Sequence, residues 1–330
     1  MGKKAQKSAG PPILLVGPGA IGTVLAVRLA LGGATVTILD HRPERAQRIR
    51  RDGLRLRAAE GLLRAAVSAT TTLEDIEPPF DMLMAPSMVE GPELVLVCVK
   101  CPALEAVGRV LAHLAAPTTI VTIQNGLGVM EALKRGLGST AARHRLVAAV
   151  TYQAASPAAD GTIRHVANLE TLFDGAAGLR PAAARAAAIF KSAGLPARVV
   201  ADLKPHVWRK LIANAAINPL TALQRVANGV LAERQDLQRD MLALARETAL
   251  VARAEGFGIS DGEAEKVALQ AAQKTADNIS SMRQDVEAGR ATEIEFLGGA
   301  VLRLAARHGL SLPRTSDVTQ ALRRLESQKD

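Results

Sequence analysis

The segment ILLVGPGAIGTVLAVRLA, residues 13–30, constrains the fold more than any other part of the chain. A short apolar run ends at Gly17, and the apolar residues after Gly22 recur at helical spacing. Gly17, Gly19 and Gly22 therefore stand in G-x-G-x-x-G form between a strand and a helix. At such a junction the first glycine permits a tight turn, the second lets the backbone approach a pyrophosphate, and the third lets helix and strand pack closely. The free N–H groups at the helix start favour an anion. The loop Gly17, Pro18, Gly19, Ala20, Ile21 and Gly22 is thus expected to hold a dinucleotide.

A second strand pattern, ATVTILD, ends at Asp40. A carboxylate there is placed to accept from a ribose 2′-OH, which favours NAD. His41 and Arg42 follow immediately and favour a 2′-phosphate, hence NADP, unless Arg42 is only an exposed loop cation. The two signals conflict at this point.

Further runs at 93–100 and 118–124 read as strands, and TVLAVRLALGG, ERAQRIRRDG, ALEAVGRVLAHL and VMEALKRGLG read as helices, several closed by Gly. Alternation at this spacing implies a parallel, doubly wound sheet of Rossmann type. The segments 146–154, 162–167 and 169–175 read as added strands, with an antiparallel edge. From about residue 181 Ala-rich helical patterns dominate, apart from a short strand pattern at 195–200. The expected organisation is a basic, disordered tail at 1–12, a dinucleotide-binding α/β domain at 13–178 and an all-α substrate domain at 179–330.

Composition narrows the function. The formal charge is +9, and setting aside Lys3, Lys4 and Lys7 of the opening segment leaves +6, a moderate bias toward anionic ligands. Aromatic residues make up 2%, too few to build base-stacking platforms, and the one clustered basic run, RPERAQRIRR, reads as a solvated helix face. No apolar run reaches the roughly 18–20 residues that span a bilayer. The opening residues match neither a signal peptide nor a myristoylation site. A cytoplasmic protein acting on a small molecule, with no nucleic-acid or membrane partner, is expected. The two cysteines, Cys98 and Cys101, lack the second ligand pair that structural zinc needs, and Cys98 ends a strand pattern rather than opening a helix. They read as unlinked thiols, with no metal site.

The stretch VWRKLIANAAINPLTAL, residues 207–223, holds the only Trp of the chain. In it Lys210, Asn214 and Asn218 fall at i, i+4 and i+8, a face that drifts by roughly 80° over two turns. The residues around them are apolar, and amides near a core must be hydrogen-bonded. This face either meets water or lines a site. Trp208 reads as packing.

Five ordered blocks resemble one family: VKCPALEAV (99–107), IQNGLGVMEAL (123–133), HVAN (165–168), the 207–223 stretch with Asn228 and Gly229 after it, and NISSMRQDVEAGRATEIEFLGGAV (278–301). That family is ketopantoate reductase (2-dehydropantoate 2-reductase), within the 6-phosphogluconate dehydrogenase-like superfamily. The resemblance implies NADPH-dependent reduction of 2-dehydropantoate to (R)-pantoate, a step toward pantothenate and coenzyme A, by a monomer or homodimer. It implies that Lys210 is the catalytic lysine and that Glu293 holds substrate. It places Asn214, Asn218, Asn228, Asn278 and Ser281 around the substrate, and Lys100 and Asn125 beside the nicotinamide and the reacting carbonyl. His165 reads as a strand residue near the site rather than a catalyst. Two departures stand out. Residues 78–93 look like a surface insertion, and Asp40 precedes the Arg that the family commonly shows alone, so NADH stays open beside NADPH.

In chemical terms, hydride addition to a ketone leaves charge on oxygen, and a lysine ammonium can supply both charge and proton. Neutral donors such as Asn278 and Ser281 can hold a carboxylate without neutralising that lysine. Against this stand plainer roles: a snorkelling Lys210, a first-turn acid at Glu293, and a helix cap and its neighbour at Asn278 and Ser281. The rival functions are a related reductase of another branched 2-oxo acid, decided by the apolar wall of the pocket, and a catalytically silent nucleotide-sensing regulator.

Overall fold

The computed structural model describes residues 10–73 and 91–328, and its chain divides into two compact units. The first comprises the chain up to Gln124 together with Met130–Leu203; the second comprises Asn125–Val129 and everything from Lys204. Most of the 78–93 segment and of the 1–12 tail lies outside the described residues; Pro12 itself already opens the first strand.

The first unit runs β1 (Pro12–Val16), α1 (Ala20–Leu31), β2 (Thr35–Leu39), α2 (Pro43–Asp52), β3 (Leu54–Ala58), β4 (Gly61–Ala65), β5 (Ser68–Thr70), β6 (Leu94–Val97), α3 (Leu104–Leu111), β7 (Thr119–Thr122), α4 (Val129–Leu137), β8 (Arg145–Thr151), β9 (Ala154–Pro157), β10 (Ile163–Ala167), β11 (Thr171–Asp174), α5 (Arg180–Ser192) and β12 (Ala197–Val200). Eight strands form the main sheet in the order β12-β11-β8-β7-β6-β1-β2-β5. β5 through β8 are parallel, the arrangement that βα alternation demands, and β11 turns antiparallel to β8. The antiparallel junction therefore lies one strand inside the edge, because β12 pairs parallel to β11 beyond it.

That pairing moves the domain boundary expected at 178. Residues 195–200 complete the sheet, with Ala197 opposite Thr171 and the Thr171 N–H donating to the Pro196 carbonyl at 2.9 Å, so α5 and β12 belong to the first unit and the division falls after Leu203. An Ala-rich helix reads alike whether it covers a sheet or joins a bundle, which is why composition misplaced the boundary.

A second sheet, β4-β3-β10-β9, packs on α1. The 162–167 run lies here rather than in the main sheet, with β10 parallel to β3 and antiparallel to β9. Covered by both sheets, α1 is buried nearly all round, from Gly22 to Val27 and at Leu29, as an apolar helix without a polar face must be. The β3–β4 hairpin adds a strand pair beyond those expected; in LRLRA the leucines are buried and the arginines exposed, the period of a half-buried strand.

The second unit is helical in all its described elements: α6 (Lys204–Gln224), α7 (Val230–Glu233), α8 (Gln235–Ala254), α9 (Asp261–Lys274), α10 (Ser281–Glu287), α11 (Gly298–Arg307) and α12 (Pro313–Ser327). α6 packs against α8, α9, α10 and α12, and Trp208, Leu211, Ile212, Ala215, Ile217 and Leu220 are buried there. Trp208 is 3% exposed, so its place is the core of this unit. No helix among the described residues is long and apolar enough to cross a membrane.

Candidate functional site

The glycine loop of the first unit is shaped by what a side chain would strike. Gly17 sits at φ +91°, a conformation L side chains rarely adopt, and a Cβ there would stand 2.6 Å from Val99. A Cβ on Gly22 would come within 2.3 Å of the Gly17 carbonyl oxygen and 3.2 Å of Cys98, so this glycine packs the helix start onto its own loop as well as beside β6. Gly19 differs: a Cβ there would meet no atom within 4 Å. Open space thus faces the N-cap of α1, where no side chain caps the helix. A strand-to-helix turn with free amide donors and such a space fits a pyrophosphate.

Gln124 organises the neighbouring strand ends. Its amide donates to the carbonyls of Val97 at 2.7 Å and Val99 at 3.0 Å, and its Oε1 accepts from the Ile123 N–H at 3.2 Å. It thereby holds the segment that leads from β6 to Lys100, which is exposed before a one-turn 3-10 helix at 101–103. Its position between the end of one strand pattern and Asn125 is the signal that could have found it. No disulfide joins Cys98 and Cys101, and burial pushes the Cys98 thiol well above its ordinary range. Among the described residues no three His, Cys, Asp or Glu side chains are grouped to hold a metal.

At the end of β2, Asp40 does not present the open carboxylate expected from the sequence. Its side chain is fully buried, and both oxygens are bonded by Arg45, through Nε and through Nη2 at 2.7 Å; the Arg42 N–H also donates to Oδ1 at 3.2 Å. Arg42 is exposed at the head of α2, whose basic residues are mostly solvated. Arg45 was not singled out in the sequence, because nothing in RPERAQRIRR distinguishes one arginine from the next.

In the second unit, Lys210, Asn214 and Asn218 are all half-buried while Leu211, Ile212, Ala215 and Ile217 beside them are buried, so the polar face of α6 neither dissolves in water nor enters the core. Burial pushes the Lys210 amine down to about 8, against the opposing pull of the Glu293 carboxylate. Glu293 lies 83 residues after Lys210 in the chain, is brought within electrostatic reach of it by folding, and is itself 8% exposed. It caps a 3-10 turn at Ile294–Phe296, its carbonyl accepting from Phe296 and Leu297, rather than opening an α-helical turn.

The loop carrying Asn125 belongs to this unit. Gly126 lies at φ +97°, a Cβ on it would stand 2.2 Å from the Phe296 carbonyl oxygen, and the Leu127 N–H donates to that same oxygen at 2.9 Å. The loop is thus tied to the turn that follows Glu293. Lys100, by contrast, lies in the first unit, so the two residues read as a pair come from different units.

Two assignments change in character. Asn228 is a buried clip: its N–H donates to the Asn278 carbonyl, its amide donates to Thr275 Oγ1 at 2.8 Å, and Gly229 allows the same close approach beside it, donating to Ala276 at 3.0 Å. In NISSM the helix cap is Ser280, which accepts from the Arg283 N–H and shares a hydroxyl–hydroxyl bond of 2.7 Å with Thr221; Ser281 is exposed at the first position of α10, and Asn278 is half-buried. Thr221 also bonds the carbonyls of Ile217 and Asn218 beside Pro219, whose ring lacks the N–H that would have closed the helix onto Ala215. His165 lies away from the glycine loop: it bonds Gln153 at 2.7 Å and meets Arg28, which sits in the last turn of α1.

Residues 13–177 match the family model described as ketopantoate reductase PanE/ApbA, and residues 202–326 match that of its C-terminal domain. A curated 2-dehydropantoate 2-reductase of Halobacterium salinarum is 34% identical over 302 residues, 91% of this chain and 94% of the relative. The crystal structure of a PanE/ApbA family ketopantoate reductase from Ralstonia eutropha superposes with a TM-score of 0.82 at 27% identity, covering 96% of this chain and 99% of that one. The fold alone is shared with a D-mandelate dehydrogenase solved with NADH and anilino(oxo)acetate, at 19% identity and a TM-score of 0.84 over 96% of this chain and 98% of that one.

Proposed function

The chain belongs to the ketopantoate reductase family, and from that premise we propose that it reduces 2-dehydropantoate to (R)-pantoate at the expense of NADPH. The observation that carries the mechanism is Lys210, an amine lowered to about 8 on a half-buried polar face with the Glu293 carboxylate acting on it.

The bound nicotinamide supplies the hydride. The open space at Gly19 and the amide donors at the start of α1 would hold its pyrophosphate. As the hydride reaches the ketone carbon, the carbonyl π pair moves to oxygen, and Lys210 Nζ gives that oxygen its proton. An ammonium with a value near 8 is mostly charged at neutral pH yet releases its proton more readily than an ordinary lysine at 10.5. Burial strengthens its attraction for the developing alkoxide. Glu293 keeps the amine from losing its proton too early and accepts from the substrate hydroxyl. Asn214 and Asn218, able both to donate and to accept, orient the lysine head and that hydroxyl. Asn125, Asn278 and Ser281 would offer neutral donors to the carbonyl and carboxylate, and Lys100 is the residue that would meet a bound nicotinamide.

The test is oxidation of NADPH by the full chain with ketopantoate and, separately, with 2-oxoisovalerate, in wild type and Lys210→Ala. Ketopantoate-dependent turnover that collapses in the variant is expected. Turnover with 2-oxoisovalerate alone would redirect the proposal to another branched 2-oxo acid, and undiminished activity in the variant would remove Lys210 from the mechanism.

A further inference from the structure

The contact between Asp40 and Arg45 reverses the meaning of the acid at the end of β2. In a dinucleotide-binding sheet, a carboxylate in this place reads the ribose by accepting from its 2′-OH. To do so it must present a lone pair outward. Asp40 has no exposed side-chain surface, and Arg45 covers both oxygens with Nε and Nη2, the two-point geometry in which a guanidinium fork meets a carboxylate. The Arg42 N–H takes a further lone pair of Oδ1. A group bonded to those oxygens occupies the direction from which a ribose hydroxyl would approach.

What stands before Asp40 is therefore a cation. The Arg45 side chain is 27% exposed, and its Nη1, the nitrogen turned away from the clamp, has no hydrogen bond among the described residues. Arg42, three positions earlier at the N-cap of the same helix, is exposed and its side chain is likewise unbonded among the described residues. Asp40 and Arg45 neutralise each other, leaving the charge of Arg42 in excess; His41, 3.6 Å from Asp40, adds to it when protonated, and Glu44 in the first turn is the acid that opposes it.

Resting on the dinucleotide reading above, we infer that Arg45 is a specificity-determining residue for the cofactor's 2′-phosphate and that Asp40 is the positioning residue that aims it, not a reader of NAD. Asp40 holds Nε and Nη2, which leaves Nη1 for an anionic ligand, and Arg42 supplies the second cation. The acid that looked like an NAD signature serves NADP through its partner.

Binding of NADPH and of NADH to the full chain, followed separately by nicotinamide fluorescence, tests this without catalysis. Wild type is expected to prefer NADPH. Arg45→Ala should weaken NADPH by about 10- to 100-fold, the size of a lost charge-assisted contact, while NADH binding holds or improves because Asp40 is released to accept from the 2′-OH. Asp40→Asn should weaken NADPH by a smaller factor with no gain for NADH. Since Arg45→Ala leaves a buried carboxylate unpaired, the double variant Asp40→Asn with Arg45→Ala serves where that protein fails to fold. It should lose the NADPH preference and gain nothing with NADH. An NADPH-to-NADH affinity ratio unmoved by Arg45→Ala or by the double variant, or a wild type that prefers NADH, overturns the inference while leaving the reductase reading intact. A wild type that binds neither nucleotide overturns both.

Discussion

The glycine loop and the polar face of α6 solve opposite problems. The loop is six consecutive residues proposed to act through backbone amides, and its design consists of atoms left out: a Cβ at Gly22 would strike the Gly17 carbonyl at 2.3 Å, while one at Gly19 would fill open space. The face on α6 depends on atoms put in, and Lys210, Glu293 and Asn125 reach the second unit from three distant stretches of chain. A site made of backbone fails when matter is added, and one made of side chains fails when matter is removed.

That contrast can be broken most sharply at Lys210. Lys210→Ala is expected to lower kcat by about 10²–10⁴-fold, the range of a lost general acid, while NADPH affinity is unchanged. Because the proton donor must be charged, kcat should be level below about 8 and fall as pH rises through it, the reverse of a base-catalysed profile. A rate that climbs across that window would assign Lys210 the opposite role.

The loop at Asn125 tests whether addition can also damage the side-chain site. Gly126→Ala places a Cβ 2.2 Å from the Phe296 carbonyl at a φ only glycine holds easily, and should cost about 10- to 100-fold in kcat/KM through displaced geometry. An unchanged kcat/KM would show that the loop does not position the reacting groups.

Within the glycine loop, two additions should part company. Gly22→Ala is expected to destabilise the protein by about 1–3 kcal/mol, seen in urea unfolding, because a backbone oxygen must move. Gly19→Ala should leave unfolding nearly unchanged and weaken dinucleotide binding by about tenfold, ~1.4 kcal/mol. If the two variants behave alike, the open space at Gly19 is not where the pyrophosphate lies. The smallest effect belongs to Asn228→Ala, which removes the bond to Thr275 and should cost about 1 kcal/mol of stability with kcat intact. A fall in kcat comparable to that of Lys210→Ala would return Asn228 to the substrate.

Legibility followed the same division. The loop, the βα alternation and the α6 face were readable because each is a local pattern of period or spacing. Asn228 and Ser280 were not, since a hydrogen bond to Thr275 or Thr221 spans dozens of residues and leaves no mark near either partner. The β3–β4 hairpin escaped because its exposed arginines obscured a short alternation, and the domain boundary slipped because α5 resembles the helices that follow it.

By itself the sequence determined where glycines open a strand-to-helix turn and which helix face carries amine and amides, since periodicity and the absence of a Cβ are properties of neighbouring residues. Only the tertiary structure decided what those groups are for. It set Glu293 to act on Lys210, tied the Asn125 loop to Phe296, and turned Asp40 from an acid facing a ribose into the holder of Arg45. The reason is physical: a charged group's role depends on which partner takes its lone pairs or protons, and folding, not adjacency, chooses that partner.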